Sequence, residues 1–538
     1  MFTKPSNSSL LNPQLIRPVH VRDWMHTLLP VIGNVALGDV CMPKSHDAGM
    51  WYKSGGTRIG GTANNILTQT QSIYQQLHCG ARMFDIRPVI SGGKWVCGHY
   101  THTGRMLGWQ GGNGASIAEV IKDVNHFADE TKELIIIEVS HSYNIDAERS
   151  CNDSERADLL DRLSGFHYIY QAANPRGIRL DRERINNYIG GGKSCVLVVF
   201  AGDEDFNPEH LAARGFYINT QLPLRDRGVC RMQTDSEAID CTLGLAQFSV
   251  LNLTKAHVLR EFPVLLQHMA NDYPSTISID DVHNVDAVTF AVAVNCFRNK
   301  VGHGAEPVVV YGGRHLEDPG VRGHILFAIL HHNDFVVSNE NLGGDPLPNV
   351  VKSCAVYYQE NGLVKGRFAW EGQPLRFSQD IHHIVYGGVE VTQQGVYNRF
   401  YDALTKRDPL QVHNTNLGGD PLPGVQKTCT VEYTTSSYAL RKRRTVRELE
   451  TFDFDMDILS VEYGDRPITD LGVIESMFKA MKDNQAFLVN NLTMGGDPKP
   501  GVRKVCKVRY MAGKYARESK VKEVKEDGKM WLEAERPE

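Results

Sequence analysis

The stretch KELIIIEVSH at 132–141 decides the fold class, because it places five apolar residues between a charged start and a polar end. Three other runs have the same form: ARMFDIRPV at 81–89, KSCVLVVFAG at 193–202 and PSTISIDDVH at 274–283. Apolar runs of this length are typical of strands that are buried on both faces of a sheet.

Amphipathic helical patterns lie between these runs. Examples are ASIAEVIKDVNHFADE at 115–130 and LTKAHVLREFPVLLQHMAND at 253–272. Strands that alternate with helices predict an α/β fold for 20–300. We expect a TIM-type (β/α) barrel, which need not be regular, with an open α/β sheet as the alternative.

Polar side chains follow the apolar runs at the point where each strand ends. Arg87 follows MFDI, His141 follows IIIEVS and Asp280 follows TISI. In parallel α/β folds, the carboxyl ends of the strands carry the active site. We therefore expect one site at this edge, joined by two further polar groups: His46-Asp47 in MPKSHDAGMW at 42–51 and His99 in VCGHYTHTG at 96–104.

Two histidines, an acid for each and an arginine suit one reaction, the displacement at a phosphodiester by a neighbouring hydroxyl. One imidazole takes the proton of the attacking hydroxyl, and the other delivers a proton to the leaving oxygen. A guanidinium stabilises the charge on the phosphoryl oxygens through its paired N–H groups. Acids beside the imidazoles fix their tautomers and raise their basicity.

Composition and length exclude several classes of protein. With 538 residues the chain needs two or more domains, and a net charge of -5 with 41% hydrophobic residues does not indicate a nucleic-acid-binding protein. We expect no membrane span and no signal peptide, since no long apolar stretch is present. The 11 cysteines include no C-x-x-C pair, which favours reduced thiols and a cytoplasmic protein.

The C-terminal part contains an internal repeat. Gly-Gly-Asp-Pro begins at Gly343, Gly418 and Gly495, and each copy is followed by a cysteine in an alternating apolar run. The cysteines are Cys354, Cys429 and Cys506, and the strands before each helix end at Tyr311, Tyr386 and Tyr463. Every series is offset by 75 and then 77 residues, which indicates three copies of one unit. The pattern within each unit predicts a strand, a helix, a tight turn and a second strand.

These patterns divide the chain into four parts. We expect the α/β region at 1–300, a linker in RNKVGHGAEP at 298–307, and three α+β, mainly β, repeats at 305–380, 381–457 and 458–538. The repeat cysteines are expected to be buried small hydrophobes. We expect the repeats to serve architecture or the binding of an unidentified partner rather than catalysis.

The motifs of the first region resemble a known family. KSHDAG at 44–49, QLHCGARMFDIRP at 76–88, CGHYTH at 97–102 and KELIIIEVSHSY at 132–143 are together similar to the X domain of phosphatidylinositol-specific phospholipase C. The resemblance extends over about 20–300 and is closest to the bacterial and X-domain-only types. The repeats resemble a little-characterised domain found at the C-terminus of some J-domain proteins.

The resemblance implies a role for each candidate catalytic residue. His46 matches the general base and Asp280 its supporting acid, with Asp281 as the alternative for that acid. His99 matches the general acid, assisted by Asp47. Arg87 matches the phosphate-binding arginine that stands where calcium-dependent members carry an acidic metal ligand, so neither a metal nor another cofactor is expected.

Other residues near these motifs receive secondary roles. Asp85 is expected to orient Arg87, while Glu138 and Ser140 are expected to line the substrate pocket. Ser140 stands where bacterial members carry a lysine, and Lys44-Ser45 where they carry Gly-Thr. Structural roles are expected for Arg82, His102, His141 and His283, and a solvated strand face for the basic runs RKRR at 441–444 and KVKEVK at 520–525.

Three functional hypotheses follow. The first is a calcium-independent phosphodiesterase or lyase that cleaves phosphatidylinositol or a related phospholipid, acting in the cytoplasm or at a membrane surface. The second is a catalytically inactive protein that binds a lipid or its headgroup, with the repeats giving multivalent attachment. The third is a phosphodiesterase for a sphingolipid or a glycerophosphodiester, which Arg87 disfavours because such sites use a carboxylate-bound metal.

Overall fold

The computed structural model describes most of the chain. The described residues are 21–57, 60–103, 108–202, 206–228, 262, 265–268, 273–299, 306–348, 351–435, 440–513 and 519–533. The N-terminal residues assessed for a signal peptide, the centre of the expected linker and most of the helix expected at 253–272 lie outside these ranges. Among the described residues, no helix is long and apolar enough to cross a membrane.

The first region is organised around a parallel sheet of seven strands. The four predicted apolar runs form four of its strands, and polar residues follow three of these four as expected. The strands are β1 (Met42–Ser45), β2 (Met83–Ile86), β3 (Leu134–Val139), β4 (Cys195–Phe200), β5 (Phe216–Ile218), β6 (Asp226–Gly228) and β7 (Thr276–Ile279).

The last two strands in chain order lie on the far side of the first strand. In space the order is β5-β4-β3-β2-β1-β7-β6, so β7 lies beside β1 in parallel register. Chain order therefore runs around the sheet, and within the described residues no pairing joins β5 to β6. The α/β prediction is confirmed at the level of a parallel sheet with its strand ends at one edge.

The helices of this region begin where local capping favours them. Ser116 starts the helix Ile117–Glu130 with a capping box, in which Ser116 and Glu119 satisfy each other's free backbone N–H groups. The α-helices of this region whose two ends are described are Trp24–Thr27, Leu29–Ile32, Ala63–Ile66, Ile73–His78, Ile117–Glu130, Asp153–Leu163, Ile185–Ile189, Pro208–Ala212 and Ala287–Arg298.

A second sheet of six strands, which the sequence patterns did not predict, covers one side of the parallel sheet's edge. Its longest strand, Lys94–His102, carries His99 and pairs antiparallel with both neighbours. In spatial order the strands are Gly55–Gly56, Trp109–Ser116, Lys94–His102, Pro88–Ser91, Tyr143–Asn144 and Arg149–Ser150.

Each predicted repeat forms a four-stranded antiparallel sheet with one helix. The helices are Pro319–Leu330, Gln394–Lys406 and Leu471–Lys482, and the cysteine strands are Ser353–Glu360, Thr428–Thr434 and Val505–Ala512. The other long strands are Val308–Tyr311 and Leu363–Trp370, Asp380–Tyr386 and Lys442–Arg447, and Met456–Tyr463 and Lys520–Lys525. Nine described two-residue strands complete the three four-stranded sheets and form three separate two-stranded sheets: Arg314–His315, Phe335–Val336, Pro374–Leu375, Val389–Glu390, Leu410–Gln411, Thr451–Phe452, Arg466–Pro467, Phe487–Leu488 and Lys529–Met530.

A buried lysine closes the Gly-Gly-Asp-Pro turn of each repeat. Lys352 contacts the turn carboxylate Asp345 at 3.1 Å and Glu371 at 2.9 Å. Lys427 and Lys504 make the matching contacts at 2.9–3.2 Å. We call these three groups the turn lysine clusters, and their recurrence shows that the turn is an architectural device.

One face of the repeat 1 sheet belongs to the hydrophobic core of the parallel-sheet region, while its other face packs into a separate core of repeat 1. Ala355 and Tyr357, on one face of its cysteine strand, pack against the helix Ala287–Arg298 as part of one continuous core, with Tyr357 stacked on Phe297 at 4.5 Å between ring centres. The matching positions of repeat 2 are Thr430 and Glu432, and those of repeat 3 are Lys507 and Arg509. Only repeat 1 is therefore apolar on both faces of this strand.

Consecutive repeats are joined by a buried ion pair, so they form one array. Lys365 in the sheet of repeat 1 pairs with Asp380, which begins the first strand of the repeat 2 sheet. Lys442 in the sheet of repeat 2 pairs with Asp457 on the first strand of the repeat 3 sheet. These two strands begin one and two residues before the expected boundaries at 381 and 458. We call these two ion pairs the junction pairs.

The expectation of a solvated RKRR strand was wrong for Lys442 and Arg444, because the next repeat covers both side chains. The guanidinium of Arg444 lies 4.1 Å from the ring centre of Phe478.

Candidate active site

The ends of three parallel strands and one antiparallel strand converge on a single cluster. His46 and Asp47 follow β1, Arg87 follows β2, Asp280 follows β7, and His99 faces them from Lys94–His102. All five predicted catalytic residues are thus brought together, and we call them the candidate catalytic cluster. Their roles stay predictions.

The first dyad joins His46 to Asp280. Nδ1 of His46 lies 2.8 Å from Oδ1 of Asp280, whose side chain is buried. Asp281, the alternative acid, instead has a left-handed backbone and accepts a hydrogen bond from Thr70 at 2.6 Å. Asp280 is therefore the acid that contacts this imidazole.

The pKa of His46 reflects these contacts. Burial alone would lower it, but the carboxylates of Asp47 and Asp280 outweigh burial and raise the pKa of His46 to about 9. The charge of Arg87 opposes this rise. The imidazole thus depends on its acidic partners for its basicity.

The second dyad joins His99 to Asp47. Nδ1 of His99 is hydrogen-bonded to Oδ2 of Asp47, which has a left-handed backbone with φ 42°. Burial acts to raise the pKa of Asp47, but His46, Arg87 and His99 outweigh it and hold the pKa far below its ordinary value. Asp47 is therefore an ionised acceptor that orients the imidazole of His99.

Arg87 lies between the two dyads and is held by two carboxylates. Its Nε and Nη2 donate to Oδ2 of Asp85 at 3.1 and 2.8 Å. Nε also forms an ion-pair contact with Oδ1 of Asp47 at 2.5 Å, outside hydrogen-bond geometry. Nη2 reaches Nε2 of His46 at 3.1 Å, which places the guanidinium within reach of the proposed base.

Ligand atoms of His46, Asp47 and Asp85 all lie within 4.8 Å of one another, close enough to surround a cation. Arg87 contacts each of these three side chains. The guanidinium of Arg87 therefore places a positive charge beside all three of these side chains.

The three predicted pocket residues differ in their surroundings. Asp85 is buried and accepts hydrogen bonds from Ser140 at 2.9 Å and from Nη2 of Arg87 at 2.8 Å. Burial tends to raise the pKa of Asp85, but Arg87 outweighs it and lowers that pKa. Glu138 forms an ion pair with Lys44 at 2.6 Å, in which 21% and 11% of the two side chains remain exposed.

Arg82 has the structural role that was expected. It is fully buried, and its Nε donates to Glu133 at 2.7 Å. Its remaining N–H groups donate to the backbone carbonyls of Leu77, Ala81 and Arg22. Its guanidinium is thus consumed by the protein itself.

The sequence did not predict two buried polar residues that are hydrogen-bonded to the backbone of the candidate catalytic cluster. Gln69 and Thr68 are each 1% exposed and donate to the backbone carbonyls of His46 and Asp47. They belong to the polar stretch TQT at 68–70, which a single sequence does not distinguish from a surface loop. Lys44 was noted only as a departure from the family pattern.

A cavity of about 220 Å³ adjoins the cluster at Arg87. Its walls include the aromatic side chains of Tyr100, Trp109, Tyr143 and Phe206. Three of these four aromatic residues, Tyr100, Trp109 and Tyr143, lie on strands of the second sheet, so the antiparallel strands both present His99 and shape the neighbouring surface.

No protein-family model matches the chain, and no curated protein matches it. Solved structures of bacterial phosphatidylinositol-specific phospholipase C are similar to parts of it. A Staphylococcus aureus mutant structure is 16% identical over 34% of this chain and 54% of its own length, with a TM-score of 0.25. The Listeria monocytogenes enzyme is 15% identical over 49% of this chain and 94% of its own, with a TM-score of 0.30.

A further Staphylococcus aureus structure is 12% identical over 49% of this chain and 92% of its own, with a TM-score of 0.31. The chain spans about half the length of the first two structures that it matches, 54% and 53%. At these values the similarity does not by itself assign an activity to this chain.

Proposed function

We propose that the chain is a phosphoric diester hydrolase or lyase that cleaves phosphatidylinositol or a related phospholipid without calcium. The observation that carries the proposal is the pair of histidine–carboxylate dyads on the two sides of one arginine. We further propose that the parallel sheet is a TIM-type barrel, in which the described strands leave β5 and β6 unpaired with each other, and that the three repeats occupy 305–380, 381–457 and 458–538.

The proposed reaction begins with proton transfer to His46. Asp280 accepts the Nδ1–H hydrogen bond, so the lone pair of Nε2 takes the proton of the inositol 2-hydroxyl. The freed oxygen bonds to phosphorus, and the bond from phosphorus to the glycerol oxygen breaks. His99 gives its proton to that leaving oxygen, so the products are inositol 1,2-cyclic phosphate and diacylglycerol.

Arg87 supplies the positive charge that the phosphoryl oxygens need as negative charge builds on them. Its Nη2 contacts Nε2 of His46 in this structure. A phosphodiester oxygen competes for the same N–H group, so substrate binding both neutralises the phosphate and frees the lone pair of the base. Substrate phosphate and base activation are thereby coupled through one side chain.

We propose that Glu138 and Ser140, with Asp85, complete the headgroup site. Lys44 lies on β1, two residues before His46, and Glu138 lies on β3, two residues before Ser140. Alternate residues of a strand share a face, so this ion pair lies on the same side as the cluster. A polyhydroxylated ring suits such a wall of donors and acceptors.

The test is turnover of phosphatidylinositol vesicles with and without a metal chelator, followed by phosphorus NMR. We expect cyclic inositol phosphate in both conditions, loss of product in His46→Ala, and retention of product in the control His102→Ala. A strict calcium requirement would contradict the metal-free mechanism. Vesicle binding that is equal in wild type and His99→Ala, with no product from either, would support the inactive lipid-binding alternative.

A further inference from the structure

A single buried amide connects the two halves of the first dyad. Gln69 lies in the loop between the helices Ala63–Ile66 and Ile73–His78 and is 1% exposed. Its Nε2 donates to the backbone carbonyl of His46 at 2.9 Å and to that of Ile279 at 3.2 Å. Two catalytic strands, β1 and β7, are therefore held by the same NH₂ group.

The carbonyl oxygen of the same side chain binds the backbone that follows Asp280. Oε1 of Gln69 accepts from the backbone N–H of Val282 at 3.1 Å. Because Asp280 lies between Ile279 and Val282 in the chain, the amide contacts the backbone just before and shortly after this acid. All three of these side-chain hydrogen bonds of Gln69 are with the backbone that carries the dyad.

The flanking residues repeat the pattern with the two neighbouring acids. Thr68 donates to the backbone carbonyl of Asp47 at 3.0 Å, and Thr70 donates to Oδ1 of Asp281 at 2.6 Å. The backbone N–H of Asp281 also donates to the carbonyl of Thr68 at 2.8 Å. Residues 68–70 thus contact the chain at 46–47 and at 279–282 at several independent points.

We propose that Gln69 is a positioning residue for the His46–Asp280 dyad, an inference that rests on the proposed function of that dyad. It sets the separation of the two strand ends, and this separation decides whether Asp280 reaches Nδ1 of His46. The side chain itself touches neither the reacting atoms nor the proposed substrate site, since its three contacts are all with backbone groups.

The charge environment of His46 makes this separation measurable. Asp280 faces it from β7, Arg87 from the end of β2, and Asp47 follows it in the chain with Oδ2 at 3.9 Å from Nε2. The remaining charged or titratable groups of the cluster are Lys44 two residues before it, Asp85, and His99 on the antiparallel strand. Of these contacts, only the one with Asp280 joins strand ends that Gln69 holds together.

The matched control is Gln76, a second buried glutamine that holds the opposite side of the same segment. Its amide accepts from Ser45 at 2.6 Å and donates to the carbonyl of Ala48 at 3.0 Å. It makes none of its hydrogen bonds with β7. Gln69→Met and Gln76→Met remove the same functional group from equally buried positions.

The experiment measures the pKa of His46 in the full chain by NMR titration, together with kcat and KM on phosphatidylinositol vesicles. For Gln69→Met we expect the pKa of His46 to fall from about 9 toward 6.5 and kcat to fall about 100-fold, the cost of a displacement of about 1 Å, with KM little changed. For Gln76→Met we expect lower thermal stability with the pKa of His46 retained.

Gln69→Asn keeps an amide in the site but shortens its reach, so it tests the same idea if Gln69→Met does not fold. An unchanged pKa of His46 in the Gln69 variants, or an equal fall in the Gln76 variant, would overturn the inference. If wild type gives no product but the Gln69 variants still lower the pKa of His46, the proposed function fails and the positioning role stands.

Discussion

The candidate catalytic cluster and the charged groups of the repeats are both built from paired ions, yet they differ in their access to solvent. Arg87, His46 and His99 keep 22–29% of their side chains exposed. The turn lysines are each only 3% exposed, and the junction pairs are similarly closed. A charged side chain that is partly exposed to solvent can contact a substrate, whereas a buried one is paired only with other groups of the protein.

Recurrence separates the two kinds of cluster as clearly as exposure does. The turn lysine clusters occur three times at matching offsets, and the junction pairs occur twice. Within the part of the chain that the structure describes, the candidate catalytic cluster occurs once, at strand ends that belong to different parts of the chain. A charged group that every repeat needs is part of the architecture, and one that is unique is a candidate for chemistry.

The largest expected effect is the loss of turnover when an open charge is removed. His99→Ala should lower kcat about 1,000-fold, since a positioned general acid contributes roughly 10² to 10⁴. The measurement is steady-state turnover on phosphatidylinositol vesicles, with thermal unfolding as a check on the fold. The closed counterpart Lys427→Met should retain wild-type turnover per folded molecule, and a comparable loss there would remove the distinction.

The next effect concerns stability and should leave chemistry intact. Asp457→Ala leaves Lys442 buried without its partner, and breaking such a pair costs about 3–5 kcal/mol. Denaturant unfolding of the full chain measures this cost. The exposed Lys507→Ala in the same repeat should change stability by less than about 0.5 kcal/mol, and equal effects of the two variants would show that the junction pair is not structural.

A third expected effect is a displaced pH profile. The proposed base must be neutral, so kcat/KM should rise with pH until it passes the raised pKa of His46, about 9. Asp280→Asn removes one of the charges that raise this pKa and should move the rising limb toward 6.5. A rising limb that stays in place in this variant would contradict the assignment of Asp280.

The same shift has a consequence for stability. The pKa of His46 is higher in the folded chain than its ordinary 6.5, so its contribution is fully present below pH 6.5 and is lost as pH rises through about 9. Unfolding measured across this window should show a steeper loss in wild type than in Asp280→Asn. Parallel curves would count against the raised pKa.

The smallest expected effect compares repeat 1 with repeat 2. Ser353 donates to the buried carboxylate of Asp286 through its hydroxyl at 2.9 Å, whereas Thr428 at the matching position is exposed. Ser353→Ala should therefore cost about 1–3 kcal/mol and Thr428→Ala less than about 0.5 kcal/mol. Denaturant unfolding of both variants checks this, and equal costs would place the two strands in equivalent surroundings.

Much of the site could be predicted because its residues follow apolar runs. The positions of Arg87 and Asp280 are set by the ends of β2 and β7, and parallel strands bring such ends to one edge. The repeats could be predicted equally well, because the same residues recur at constant offsets in the sequence. Local pattern and chain order were sufficient for both.

The remainder depends on contacts between distant elements. Lys442 lies in a basic run that looks solvated, and only the docking of the next repeat buries it. Gln69 lies in a polar loop, and only the folded chain shows its amide between two strand ends. The second sheet escaped prediction because its strands are short or rich in glycine, as in Trp109–Ser116, and carry little apolar periodicity.

The core that repeat 1 shares with the parallel sheet bears on how the molecule melts. Ala355 and Tyr357 belong to the same apolar cluster as β3 and β4, while repeats 2 and 3 have separate cores of their own. Calorimetry should therefore resolve a cooperative block that contains the parallel sheet and repeat 1, and a bound headgroup should raise the temperature of that block. Removing the whole array would cut through this block, whereas removing only the last two repeats would leave it whole.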